Sequence, residues 1–432
     1  MKRTLAMLLL GAISQTSLAA LPEPGEVALV RDINPSQVSD LGAESVVRME
    51  ETLTDWVPFW VNETSMAPGL WATDGTESGT VPVTGLVQNG YYNQDFGICF
   101  SGRTWYFWNS DAGGLALWRS DGTSPGTVVL ARWSMEYSFL APFWFEPRAC
   151  ESRSVDGRIL FWLERPVTGG YEAELWSTDG APAGARMVKD LGVDPYYHNA
   201  LQAFARLGDR LIFSLQLANA DYGIWATDGT TEGTSKVVAS VPDEPNLWPS
   251  YMLAVGPRVY FRTFYTATGP HFGYTDGTPA GTRVFPDLAV EPYMLVAPGY
   301  ANLAGRVVFP AVDLDAAAIW TIDANEEVPA ALMTFPGGSY VSPFSWTGEF
   351  TVGGKAIFWA TVPVPPGAGA KYETRLVATG GTSATTTEIG IFCAAGEASC
   401  AVRSVGRASD SLLFLSATAS GCALWRTDGT ST

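Results

Sequence analysis

Helical periodicity, long apolar runs, histidine, positive charge and cysteine are all scarce in this sequence, and each scarcity excludes something. No segment sustains a 3.6-residue apolar period, so a helical bundle is excluded. Beyond the first twenty residues no apolar run is long enough to cross a bilayer. There are only two histidines, His198 and His271. No HExxH, GxSxG or GxxxxGK occurs, so zinc-protease, α/β-hydrolase and P-loop chemistries lack support. His198, in "DPYYHNA", reads as an exposed loop residue, and His271, just before a strand, reads the same way. Against 44 acidic residues stand 26 basic ones, for a net charge of −18. Such a chain repels phosphate backbones, which argues against a nucleic-acid partner.

Five cysteines fit no zinc spacing. Cys393 and Cys400 flank "AAGEAS" and could close a local disulfide in an oxidising compartment. Cys99 and Cys150 each precede an apolar strand in successive repeats and could pair between neighbours. Cys422 is then left over, and five unpaired buried thiols is the plainer alternative.

The start of the chain reads as a leader. Lys2 and Arg3 precede the apolar "LAMLLLGAI", and Ser17-Leu18-Ala19 offers small residues for cleavage. Residues 1–19 therefore read as a secretory signal peptide, and 20–432 as the mature protein. Removing its two cations takes the net charge from −18 to −20. The expected location is outside the cytoplasm, either periplasmic or extracellular.

What is abundant is repetition. "LWATDGTESGT", "LWRSDGTSPGT", "LWSTDGAPAGA", "IWATDGTTEGT", "FGYTDGTPAGT", "IWTIDANEEVP", "LVATGGTSATT" and "LWRTDGTST" follow one another along the chain. The motif aspartates are Asp74, Asp121, Asp179, Asp228, Asp276, Asp323 and Asp428, with Gly380 in place once. Their spacing of roughly fifty residues fits a four-stranded propeller blade. Upstream of each lies a strand of β-branched and aromatic residues, often opened by glycine and a basic residue, such as "GRILFWL" at Gly157.

One unit illustrates the reading. Strands are expected at 201–207, 210–217, 222–227 and 235–240. Gly229 supplies a positive φ for the turn, Asp228 bonds nearby amides, and Trp225 packs against the next sheet. The last unit lacks a fourth strand after "LWRTDGTST", and "EVALVRDINP" at the N-terminus matches the piece that follows the turn elsewhere, such as "ARMVKDLGVDP". The expectation is an all-β, eight-bladed β-propeller of four-stranded blades, a single domain closed by its N-terminal strand.

With "LWATDGT", "LWRSDGT" and "LWSTDGA" each followed by a GT-like pair and then "VKDL" or "VRDI", the chain resembles the ELWxxDGT repeat family of exported bacterial proteins. The resemblance covers essentially the whole mature chain. The leading glutamate is kept only at Glu174. The family implies export and repeat architecture and carries no established activity, so no catalytic residue transfers. The turn is also similar, over a short stretch, to the Asp-box hairpins of sialidase propellers.

Chemistry beyond the scaffold is sparse. Calcium needs six or more oxygens, and each turn offers one aspartate. The turns Asp74, Asp121, Asp179, Asp228, Asp276 and Asp428 therefore read as structural bends. Adjacent acids such as Asp243-Glu244 and Glu326-Glu327 do not converge as glycosidase carboxylates must. No metal or cofactor is expected. Motif tryptophans Trp71, Trp118, Trp176, Trp225, Trp320 and Trp425 are core by default. Other aromatics fall where the fourth strand of one unit crosses to the first of the next: Trp133, Trp144, Tyr196, Trp248, Tyr293, Tyr340 and Trp346. In a propeller these crossings share one face, so Trp144, Tyr196, Trp248, Tyr293 and Trp346 form the candidate ligand-binding set. The plainer reading is that these rings cover the innermost strands. The expected function is a monomeric binding or interaction module for an extracellular glycan or protein partner. A polysaccharide-active enzyme and a purely structural surface protein are the alternatives.

Overall fold

The computed structural model describes residues 46–47, 56–61, 69–84, 97–111, 113–140, 148–194, 201–217, 221–238, 249–263, 271–289, 300–313, 316–344, 350–364, 372–392, 400–408, 410–418 and 421–430. The all-β expectation holds: among these residues there is no α-helix, and the strands form about eight antiparallel units of mostly four strands in chain order. The fourth sheet consists of Leu201–Leu207, Arg210–Leu217, Asp221–Thr227 and Ser235–Val238, which matches the sequence-based boundaries closely. The fifth and sixth sheets join edge to edge through Leu288 opposite Asp313 and Ala289 opposite Val312. The eighth sheet has three described strands, Cys400–Ala408, Ser411–Thr418 and Gly421–Thr427. The N-terminal strand, the leader and the Cys393–Cys400 loop lie outside the described residues or rest on ones that do.

The described residues fall into two compact units. One holds the first two sheets, the segment around Cys150 and the turn Ser177–Arg186; the other holds the remainder. In both, the same pairing rule recurs. The residue after the motif tryptophan pairs with the residue nine positions later: Ala72 with Val81, Arg119 with Val128, Ala226 with Ser235 and Ala378 with Thr387. A bulge follows two residues further along the fourth strand, at Val83, Leu130, Val237, Leu332 and Ile389. A bulge adds twist and re-aims one side chain, and here that side chain is always apolar.

Alternation along a strand then decides which neighbour each residue meets. Ile224 packs with Val259 and Phe261 of the following sheet, whereas Phe213 packs with Trp162 and Leu175 of the preceding one. Trp225, adjacent to Ile224, therefore points to the preceding side. It stacks on Phe213 with ring centroids 6.2 Å apart and lies against the cluster shared with the third sheet. This corrects the expectation that Trp225 packs on the next sheet. The residue before the motif tryptophan is fully buried at Leu70, Leu117, Leu175, Ile224, Ile319 and, with other residues in the tryptophan's place, Phe272 and Leu376. Burial of each contributes about 1.5–3 kcal/mol.

His271 is also corrected. It opens the strand His271–Thr275, is buried, and its backbone N–H donates to Thr263 Oγ1 at 2.9 Å. The apolar register of that strand carries its first residue inward.

Candidate functional site

The repeated turn is the most completely defined polar site among the described residues. In the first sheet, Asp74 Oδ1 accepts from Thr76 N at 2.9 Å and from Thr76 Oγ1 at 2.7 Å. Thr76 Oγ1 in turn accepts from Gly79 N at 3.0 Å, and Thr80 Oγ1 donates to Thr76 O at 2.7 Å. Thr73 and Thr80 join their hydroxyls at 2.7 Å across the base of the turn. The same bonds recur around Asp121, Asp228 and Asp276. At Asp179, where Ala181 stands in the threonine's place, the backbone bond from Ala181 N is kept at 3.0 Å, and Asp428 keeps the bonds to Thr430. The threonine hydroxyl, then its amide, hold the carboxyls of Asp74 and Asp228 below the usual range. The Thr123 hydroxyl does the same for Asp121.

Two glycines are dictated by this network. The glycine after the aspartate is left-handed, with φ of +86° at Gly75 and +84° at Gly229. The glycine five positions after the aspartate leaves room for the carboxylate. A Cβ at 79, 126, 233 or 281 would stand about 2 Å from the carboxylate of Asp74, Asp121, Asp228 or Asp276. The seventh sheet solves the same problem in reverse. Gly380 replaces the aspartate and Thr385 replaces the glycine, and Thr385 Oγ1 accepts from Thr382 N at 3.2 Å. The side chain has moved across the turn and kept its hydrogen bond.

The turn also reaches its neighbour. In later turns the left-handed glycine lies against the preceding sheet: Gly122 on Trp56, Gly180 on Tyr106, Gly277 on Ile212 and Gly429 on Ile357. Cations then hold turn carbonyls. Arg119 Nη1 donates to Gly180 O at 2.8 Å, Lys355 Nζ to Gly429 O at 2.8 Å, and Lys189 Nζ to Thr234 O at 2.6 Å. Arg258 donates to Glu326 O. Arg258 and Lys355 are the basic residues that open the second strand of the fifth and seventh sheets. The sequence displayed these cations, but it could not show that their acceptor is the turn of the next sheet.

A second polar group lies on the third sheet. Trp176 Nε1 donates to Glu174 Oε2 at 2.8 Å, Arg165 lies 3.3 Å from Glu174 Oε1, and Arg165 also pairs with Glu172. Glu174, the one retained leading glutamate of the motif, thus holds the motif indole. Burial, then the charge of Asp190, raises the Glu172 carboxyl. Elsewhere, buried Arg153 faces the Phe204 ring at 4.8 Å.

None of the five aromatics of the candidate ligand set, Trp144, Tyr196, Trp248, Tyr293 and Trp346, is among the described residues. Of the other crossing aromatics, Trp133 is buried and packs edge-on against Trp108 at 5.5 Å, and Tyr340 is half-buried. Trp133 is therefore core. Glu326 and Glu327 are exposed, as expected of surface acids; Glu327 pairs with Arg283 at 3.0 Å. Among the described residues no group of three or more His, Cys, Asp or Glu side chains could hold a metal ion. Cys99 and Cys150 form a disulfide with Cα atoms 4.9 Å apart, where Arg148 and Ala149 pair in parallel with Cys99 and Phe100. Of the pairings open in the sequence, this one spans 51 residues. None of the described helices is long and apolar enough to cross a membrane.

No family model matches the chain, and no curated protein matches it. Three solved structures show distant likeness. One, from a study of two prolyl endopeptidases, is 12% identical over 87% of this chain and 54% of its own, with a TM-score of 0.40. A puromycin hydrolase is 13% identical over 94% of this chain and 62% of its own, with a TM-score of 0.39. The β-propeller domain of the Trilobed protease from Pyrococcus furiosus is 10% identical over 77% of this chain and 92% of its own, at 0.35. The chain thus spans under two thirds of the first two. At these TM-scores the likenesses carry no argument about what this chain does.

Proposed function

We propose that the chain is an exported, monomeric, eight-bladed β-propeller of the ELWxxDGT repeat type, closed by its N-terminal strand, and that it acts as a binding module. Its ligand is an extracellular glycan or a protein partner, taken up at the crossings that carry Trp144, Tyr196, Trp248, Tyr293 and Trp346. One observation carries the reading. The repeated turn spends its aspartate and threonine groups on its own backbone, so the motif serves the scaffold and binding is left to the crossings. The Cys99–Cys150 disulfide supports an oxidising compartment.

The test is intrinsic tryptophan fluorescence of the mature protein, titrated with bacterial, algal and plant polysaccharides, with product analysis on the same samples. A saturable change without cleavage, lost on substituting Trp248 and Trp346, is expected. Cleavage abolished by a single carboxylate substitution would replace this reading with a polysaccharide-active enzyme. Silence across the panel would leave a protein partner, sought by pull-down from the native surface.

A further inference from the structure

Seven Asp-Gly bonds lie among the described residues. Six follow the repeat aspartates Asp74, Asp121, Asp179, Asp228, Asp276 and Asp428; the seventh, Asp156–Gly157, belongs to no repeat turn. Asp-Gly is the peptide link most prone to rearrange, because glycine leaves its nitrogen unhindered beside the aspartyl carboxyl. The repeat turns tie down both groups. The glycine N–H donates to the hydroxyl of the Ser or Thr before the aspartate, at 3.0 to 3.1 Å in all six. The carboxylate accepts from the amide two residues on, at 2.8 to 3.0 Å in all six. At Asp74, Asp121, Asp228 and Asp276 a threonine hydroxyl adds a second bond.

Asp156–Gly157 is built differently. It is the two-residue loop joining Ser154–Val155 to Arg158–Val167 in the third sheet, with Val155 opposite Arg158. Val155 stands where the repeat turns carry a hydroxyl, and its side chain can accept nothing. No donor among the described residues holds the Asp156 carboxylate. Both loop residues are exposed and left-handed, with φ of +50° and +69°. A Cβ on Gly157 would meet nothing within 4 Å, so the loop has room to change shape.

We propose that Asp156 is a site of spontaneous isoaspartate formation, and that the hydroxyls of the repeat turns guard the other Asp-Gly bonds against it. The Gly157 nitrogen attacks Cγ of the protonated Asp156 carboxyl and gives up its proton, and one carboxyl oxygen leaves as water. The product is a succinimide. Water then opens the ring at the backbone carbonyl to give isoaspartate, or at Cγ to restore aspartate, and the nitrogen regains its proton. Either opening leaves a solvent oxygen in the residue. The threonine hydroxyls that hold the carboxyls of Asp74 and Asp228 below the usual range oppose the protonation this needs. Isoaspartate puts an extra carbon into the backbone beside Val155, against which Gly229 of the fourth turn lies.

Ageing the full mature chain in 18O-water at mildly acidic pH, followed by peptide mapping, tests this. Solvent oxygen and isoaspartate should accumulate at 156. Freeing a threonine-held carboxylate breaks two bonds to an ionised acceptor, so at about tenfold per bond Asp74, Asp121, Asp228 and Asp276 should label on the order of a hundredfold more slowly. In urea, with the disulfide reduced, all seven should label at comparable rates. Thr230→Ala should speed labelling of Asp228 about tenfold while hydrogen exchange shows the fourth sheet intact. Asp156→Glu, whose longer side chain closes a ring far more slowly, should remove the signal at 156. An unlabelled Asp156 in the folded chain, or labelling of the four threonine-held aspartates as fast as Asp156, overturns the proposal. So does a folded Thr230→Ala whose Asp228 labels no faster than in the wild type. If Thr230→Ala unfolds, the wild-type rates at Asp228 with and without urea decide, and equal rates refute the guard.

Discussion

Exchanging two side chains in the fourth turn asks whether the seventh sheet's arrangement is an equivalent solution. In the fourth turn Asp228 Oδ1 accepts from Thr230 N at 2.9 Å and from Thr230 Oγ1 at 2.6 Å, and a Cβ at Gly233 would stand 2.0 Å from that oxygen. Gly233→Thr alone drives the carboxylate out and loses both bonds. With one bond to an ionised acceptor worth about 1.5 kcal/mol at this exposure, the cost is about 3 kcal/mol. Asp228→Gly alone loses the same two bonds and adds backbone freedom to the unfolded chain, for about 4 kcal/mol. Together the two changes reproduce Gly380 and Thr385, whose hydroxyl accepts from Thr382 N at 3.2 Å. The double variant should therefore cost about 2 kcal/mol, well short of the sum of about 7, a coupling of about 5 kcal/mol. The assay is the urea midpoint with its slope, beside hydrogen exchange of Asp221–Val238. A double variant whose cost equals the sum within about 0.5 kcal/mol would refute the reasoning, because the two positions would then not share one space.

Other outcomes follow from the same geometry. Cys99→Ser with Cys150→Ser should cost about 4 kcal/mol by the entropy of a loop of 51 residues, seen as a lower urea midpoint that matches the reduced wild type. Lys189→Met removes the donor to Thr234 O and Thr231 O and should cost about 1 kcal/mol, with faster exchange confined to the 227–235 turn. The lowered carboxyls of Asp74, Asp121 and Asp228 contribute stability that is present above their ordinary range near 3.8 and lost as pH falls through their folded values. The melting temperature should therefore drop on acidification below about pH 4, and less steeply when all three are Asn. Glu172 has the opposite sign: its raised carboxyl costs stability once ionised. Glu172→Gln should raise the melting temperature at pH 8, and the difference should shrink by pH 4.

By itself the sequence determined the unit and its punctuation. Turn chemistry is local, so Asp228-Gly229 could be read as a bend with a left-handed glycine, and the four strands around it could be placed almost to the residue. Tertiary structure decided what each strand faces. Alternation shows that Ile224 and Trp225 point to opposite sides, but which side meets which neighbour depends on the stacking order of sheets, and there the expectation for Trp225 failed. His271 was misplaced for a related reason, since one residue at a strand start changes environment with register. The Cys99–Cys150 bridge, the cations that bond the next turn and the exchange of Asp and Gly for Gly380 and Thr385 join positions through space. No local rule ranks such pairings. The candidate ligand set was legible only as a group of aromatics at the crossings. A repeat fixes its own turn because the same few bonds close it every time. What a crossing binds depends on how several units present their loops together, and that is a property of the assembled sheets.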